Sequence, residues 1–255
     1  MSGPVALHGG GEFQPGDEPF LRRLLDLARE GSGRDADGPL TVAIVPTAAA
    51  RGRPDLVGAH GTAAFERLAG RASAGAVAVT IDVVPVLDAA SASDAGLAAR
   101  LEAADVIHLP GGDPDLIPSI LAGTAAWDAI VAAHRRGAVL AGASAGAMAL
   151  AGWTWTPAGG LAGLGLVARL VVVPHADQRR WVEAVRRFGG GAPAGLGLLG
   201  IAERTGVISP AGSDTQSDGP VTWEVVGEGS ARWLTDPGDL ERTVVVPAGS
   251  TLEIV

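Results

Sequence analysis

The sequence predicts an α/β fold, a largely parallel sheet flanked by helices with an antiparallel extension at its C-terminal end. Short apolar runs alternate with amphipathic stretches through the first 200 residues. A hydrophobic fraction of 47% and a mean hydropathy of +0.28 promise a large core. After Glu203 the texture changes to short strand-like pieces broken by Gly, Pro, Ser and Asp. Alternation of the first kind is what a parallel sheet covered by helices requires, because its connections must cross over the sheet.

The apolar runs are Pro4 to Leu7, Leu40 to Pro46, Ala76 to Leu87, Val106 to Leu109, Ala138 to Ala141 and Leu196 to Ala202. Helical patterning lies near Glu18 to Glu30, Asp55 to Ala69, Ser93 to Ala103, Ala125 to Arg136 and Gln178 to Phe188. The late strand-like pieces are Val221 to Val226, Ala231 to Leu234, Thr243 to Val246 and Thr251 to Val255. One α/β domain over residues 1–255 is expected, with about 211–255 as the antiparallel extension, and Gly31 to Gly38 reads as a loop.

A net charge of −9 and a pI near 5.0 argue against nucleic acid or an anionic membrane as partner, since no basic stripe offsets the repulsion. All 19 basic residues are Arg. Cysteine is absent, which excludes disulfides, thiolate metal sites and a cysteine nucleophile. His8, His60, His108 and His134 show no ligand-like pairing with one another or with carboxylates, so a metal site is not expected, and no cofactor is expected either. No signal-peptide pattern and no long apolar span is seen, which makes the cytoplasm the expected location. A homodimer is left open.

The chemistry points to Gly142-Ala143-Ser144-Ala145-Gly146, a Gly-x-Ser-x-Gly frame between an apolar run and small helix-favouring residues. A nucleophile at a strand end needs a tight turn, and flanking glycines let strand and helix approach without Cβ clashes. The bland alternative is an ordinary strand-to-helix turn in a chain with 38 glycines. His175, at the end of Leu170-Val171-Val172-Val173-Pro174, is the histidine that follows the serine and the candidate base. No Asp or Glu occurs from Ala145 through Pro174, which disfavours the α/β-hydrolase order of nucleophile, acid, histidine. Glu203, ending another apolar run, is the preferred acid to orient His175, with Asp177 as the second candidate. Gly112, in Pro110-Gly111-Gly112-Asp113, is expected to pair its amide with that of Ala145 as an oxyanion hole.

Gly9-Gly10-Gly11-Glu12 also follows a strand, but Phe13-Gln14-Pro15-Gly16 breaks the chain before a helix opens, so it is a poor dinucleotide fingerprint. Arg51, Arg53 and Arg179 are candidates for gripping a carboxylate.

Taken together, Gly9-Gly10-Gly11-Glu12, Pro46-Thr47-Ala48, Pro110-Gly111-Gly112-Asp113, the Ser144 elbow and His175-Ala176-Asp177-Gln178-Arg179 resemble the dipeptidase E and cyanophycinase family of serine peptidases, over about residues 5 to 210. The resemblance implies a class I glutamine amidotransferase-like fold and hydrolysis of small peptides beside aspartate, isoaspartyl and β-aspartyl-arginine links included. Carried over, it implies Ser144 as nucleophile, His175 as base, Glu203 as acid, and Asp113, Gln178 and Arg179 on the substrate side. The chain departs from the family at Asp113, where Asn is commoner, and at Ala176, where an aromatic residue is commoner. A glutamine amidotransferase would need a cysteine nucleophile. The alternative is a non-catalytic module binding a metabolite or partner, discriminated by whether Ser144 and His175 come within hydrogen-bond reach.

Overall fold

The computed structural model describes residues 1–31, 38–70, 78–156, 159–188, 193, 195–217 and 219–254. In chain order the strands and helices are β1 (Val5–His8), α1 (Glu18–Gly31), β2 (Leu40–Ile44), α2 (Pro54–Gly70), β3 (Val79–Val83), α3 (Ala89–Ala92), α4 (Ala95–Glu102), β4 (Val106–Leu109), α5 (Leu116–Leu121), α6 (Ala125–Arg135) and β5 (Val139–Ala143). There follow α7 (Ala145–Leu150), β6 (Trp153–Thr156), β7 (Gly159–Ala162), β8 (Leu170–Val173), α8 (Gln178–Phe188), β9 (Gly197–Ile201), β10 (Thr205–Ile208), β11 (Val221–Gly227), β12 (Ser230–Leu234), β13 (Val244–Pro247) and β14 (Thr251–Ile254). The loop expected at Gly31 to Gly38 lies, from residue 32 to 37, outside the described residues.

The main sheet has the order β14-β11-β10-β1-β5-β4-β2-β3. Its β1, β5, β4, β2 and β3 run parallel. The central strands β1, β4 and β5 are buried at every residue, which is why they read as unbroken apolar runs rather than alternating ones. Alternate residues serve opposite faces: Leu140 joins the core that includes Leu109, Ile130 and Leu150, while Val139 and Ala141 join the one built on Phe20, Leu24 and Phe65. Helix starts are placed by local chemistry. The Asp94 side chain accepts the Leu97 N–H at the head of α4, and Pro54 opens α2 with a preset φ.

The C-terminal tail is divided between two sheets. Strands β10, β11 and β14 extend the main sheet antiparallel beyond β1, so the extension begins at Thr205 rather than near 211. β12 and β13 instead complete a second sheet, β13-β12-β9-β8, in which β8 and β9 pair in parallel. Helix α8 covers this sheet with Trp181 and Val185 against Val171, Val173, Leu198 and Leu234. The hairpin β6-β7 stands apart from both sheets.

Candidate active site

Strand β5 delivers Ser144 into the turn that opens α7. Its backbone takes φ 49 and ψ −112, a conformation that L-residues avoid and that tertiary packing must hold against about 1–3 kcal/mol of strain. The flanking glycines are required by space. A Cβ on Gly146 would stand 1.9 Å from the Leu109 carbonyl oxygen, and one on Gly142 would stand 2.6 Å from the Gly146 carbonyl carbon. The strained turn and these close approaches together are the geometry of a nucleophile elbow.

The loops after β8 and β9 supply the other two groups. Ser144 Oγ lies 2.9 Å from His175 Nε2. His175 Nδ1 lies 2.9 Å from Glu203 Oε1. A carboxylate can only accept, so the proton sits on Nδ1 and Nε2 is left to receive the serine hydroxyl. The imidazole is 30% exposed and Glu203 52%, so the dyad is reached by solvent. Asp177 does not compete for the imidazole. It accepts the Arg180 N–H at the head of α8, and this bond first, with burial opposing, lowers its carboxyl below the usual aspartate range.

Four loops are tied together by residues 8–12, the end of β1 and the glycine run with Glu12 that follows it. The His8 carbonyl accepts the Ser144 N–H at 2.9 Å, the Gly9 carbonyl accepts the His175 N–H at 2.7 Å, and the Gly10 carbonyl accepts the Arg204 N–H at 2.8 Å. Glu12 Oε1 takes the Gly111 N–H at 2.7 Å. The run is anchored from beneath: the Gly10 N–H donates to His8 Nδ1 at 3.2 Å, and the Phe13 N–H to Asp17 Oδ2 at 2.9 Å. His8 Nε2 stands 2.9 Å from Asp17 Oδ1, and both side chains are buried. A histidine at the strand end with an aspartate nine residues on was the available signal, but no local spacing rule makes it a pair.

In the loop after β4, Gly112 takes φ 153, and a Cβ there would stand 2.3 Å from the Ala48 carbonyl oxygen. The Asp113 N–H donates to that same oxygen at 2.8 Å. The Gly112 N–H meets no acceptor among the described residues. Ala145 opens α7, where an N–H has no intrahelical partner. Asp113 is occupied, accepting the Asp115 N–H at 3.0 Å and pairing with Arg51 at 3.2 Å. Arg53 pairs with Asp55. Gln178 and Arg179 are exposed at the start of α8, and among the described residues neither is hydrogen-bonded or ion-paired to Ser144, His175 or Glu203.

Beside the elbow lies a small apolar cavity of about 170 Å³, lined by Met148, Trp155, Val173 and Pro174 with Arg180 and Arg187. The Arg187 guanidinium sits 5.2 Å over the Trp155 ring. A larger cavity of about 660 Å³, lined in part by Ser2, Trp127 and His134, contains none of the predicted site residues. Among the described residues there is no group of three or more His, Cys, Asp or Glu that could hold a metal ion, and no helix long and apolar enough to cross a membrane.

The model of peptidase family S51 matches residues 7–209. Among solved structures, the crystal structure of a peptidase from an acI-B1 Actinobacterium is similar at a TM-score of 0.79 and 24% identity, covering 100% of this chain and 98% of that one. A putative peptidase E protein from Listeria monocytogenes EGD-e is similar at a TM-score of 0.57 and 15% identity, covering 89% of this chain and 98% of that one. At these identities the two structures support the fold alone. No curated protein matches the chain significantly.

Proposed function

The chain belongs to peptidase family S51, the dipeptidase E and cyanophycinase family, and from that premise we propose that it is a serine peptidase acting on small peptides through Ser144, His175 and Glu203. The observation that carries the reading is the unbroken chain of contacts from Ser144 Oγ through both imidazole nitrogens to Glu203, each link 2.9 Å long. A module that only binds a ligand has no need of that alignment, nor of the strained backbone beneath the serine.

In the proposed reaction Ser144 Oγ attacks the scissile carbonyl carbon while His175 Nε2 takes the hydroxyl proton. The negative charge that gathers on the carbonyl oxygen is met by the Gly112 and Ala145 N–H groups. His175 then hands its proton to the leaving amine, the C–N bond breaks, and an ester to Ser144 remains. Water, deprotonated by the same nitrogen, attacks the ester and releases the acid with the serine restored. Glu203 holds the tautomer and stabilises the imidazolium formed in each half.

For the substrate, the guanidinium groups of Arg179 and Arg180 at the head of α8, beside Gln178, suit a peptide bearing an aspartyl or isoaspartyl carboxylate, while the negative charge of Asp113 is offset by its pairing with Arg51. The cavity at Met148 and Pro174, one turn past the serine and one residue before the histidine, is where a side chain of that peptide would lie. The test is fluorophosphonate labelling of the native protein and Ser144→Ala, followed by a dipeptide library. Labelling confined to the native protein and release of aspartyl peptides are expected. Equal labelling of the variant would overturn the nucleophile, and a library indifferent to acidic residues would overturn the specificity.

A further inference from the structure

The amides on either side of Gly112 are both occupied. Asp113 N–H is held by the Ala48 carbonyl at 2.8 Å, and Gly111 N–H is held by Glu12 Oε1 at 2.7 Å. Between them the Gly112 N–H is left without an acceptor among the described residues. Glu12 performs its part at close quarters. The point where a Gly111 Cβ would stand is 2.8 Å from Glu12 Oε1 and 3.0 Å from the Ser144 Cβ, so the carboxylate lies beside the nucleophile. It is brought there by the same segment, residues 8–12, whose His8, Gly9 and Gly10 carbonyls hold the backbones of Ser144, His175 and Arg204.

We propose that Glu12 is a positioning residue of the peptidase: it clamps the Gly111 N–H and so fixes the Pro110–Gly111 peptide plane, which together with the Gly112–Asp113 plane held by Ala48 brackets the peptide that presents the Gly112 N–H to the developing oxyanion. The inference rests on the serine peptidase reading above. A loop of two consecutive glycines has few conformational restraints of its own. A preorganised donor stabilises a transition state only if it does not have to reorient as the charge develops, so a fixed partner one residue upstream acts on the chemical step rather than on substrate binding. The bond needs an acceptor oxygen and not a charge, which separates this role from electrostatic recognition of the substrate.

The experiment compares the native protein with Glu12→Ala and Glu12→Gln, reading amide hydrogen exchange at Gly111 by NMR, kcat and KM on the best peptide, and the rate of fluorophosphonate labelling. Glu12→Ala is expected to lose protection at Gly111 and to lower kcat about tenfold to a hundredfold with KM within about twofold, since removing an oxyanion donor outright lowers kcat by about 10²–10³. Glu12→Gln, whose side-chain carbonyl accepts the same bond, is expected to keep the protection and to bring kcat within about threefold of native. Unchanged Gly111 exchange in Glu12→Ala, a Gln variant as slow as the Ala variant, or a loss confined to KM would each overturn the proposal. A native protein that neither cleaves peptides nor takes the label would overturn the peptidase reading, and this inference with it. A native protein that does both, with Glu12→Ala equally active, overturns the role of Glu12 alone.

Discussion

Gly10 carries no side chain where the His175 imidazole lies: a Cβ at residue 10 would stand 2.2 Å from the ring Cε1, and the backbone there has φ 106. Gly10→Ala is therefore expected to push the ring away from Ser144 Oγ. A displacement of about 1 Å in such an arrangement lowers turnover about 10²-fold. Steady-state kinetics beside a far-UV spectrum checks this, the spectrum staying native while kcat falls.

Glu203 accepts from His175 Nδ1 yet is about half exposed. Water can partly replace a carboxylate in such a position, so Glu203→Gln is expected to lower kcat about 10²-fold, less than the loss of about 10⁴-fold seen when a buried triad acid is replaced by its amide.

His108 on β4 is fully buried against Phe13 and Phe65, with neither ring nitrogen hydrogen-bonded among the described residues. Burial first, and the nearby His8 second, push its pKa down to about 3. The unfolded chain binds a proton below about pH 6.5, while the folded one refuses it until about pH 3. Stability is therefore whole above pH 6.5 and declines as the pH falls through that window. His134, whose pKa is also lowered by burial, adds in the same direction. Urea midpoints at pH 7 and pH 4 should differ less in His108→Leu than in the native protein.

Gly146→Ala places a methyl 1.9 Å from the Leu109 carbonyl oxygen, where strand β4 and helix α7 touch. Backbone must move, and a destabilisation of about 1–3 kcal/mol is expected, visible as a lowered thermal midpoint. Activity should fall with it, because the shift acts on the turn that carries Ser144.

The parallel half of the fold was legible because β1, β4 and β5 are buried on both faces and so appear as plain apolar runs. The order of serine, histidine and glutamate was legible too, each at the end of such a run. What no run reveals is which sheet it joins: Leu170–Val173 and Gly197–Ile201 look like any buried strand, yet they pair with each other, and the second of them with β12, and neither pairs with β1. The alternation Trp153-Thr154-Trp155-Thr156 is a period-two signal for the β6-β7 hairpin that a strand–helix reading passes over. Glu12 was quoted for its place after three glycines, but its partner Gly111 is 99 residues away, and a single carboxylate carries no spacing by which to find it.

Ser144 hangs from the eight-stranded sheet, whereas His175 and Glu203 hang from the four-stranded one. The alignment of Ser144 with His175 thus depends on the seam between the two sheets, whose buried residues share one core and whose loops are joined through the Gly9 and Gly10 carbonyls. Gentle warming or dilute denaturant that loosens this seam should silence cleavage while circular dichroism still reports intact strands and helices, and cooling or removing the denaturant should bring it back.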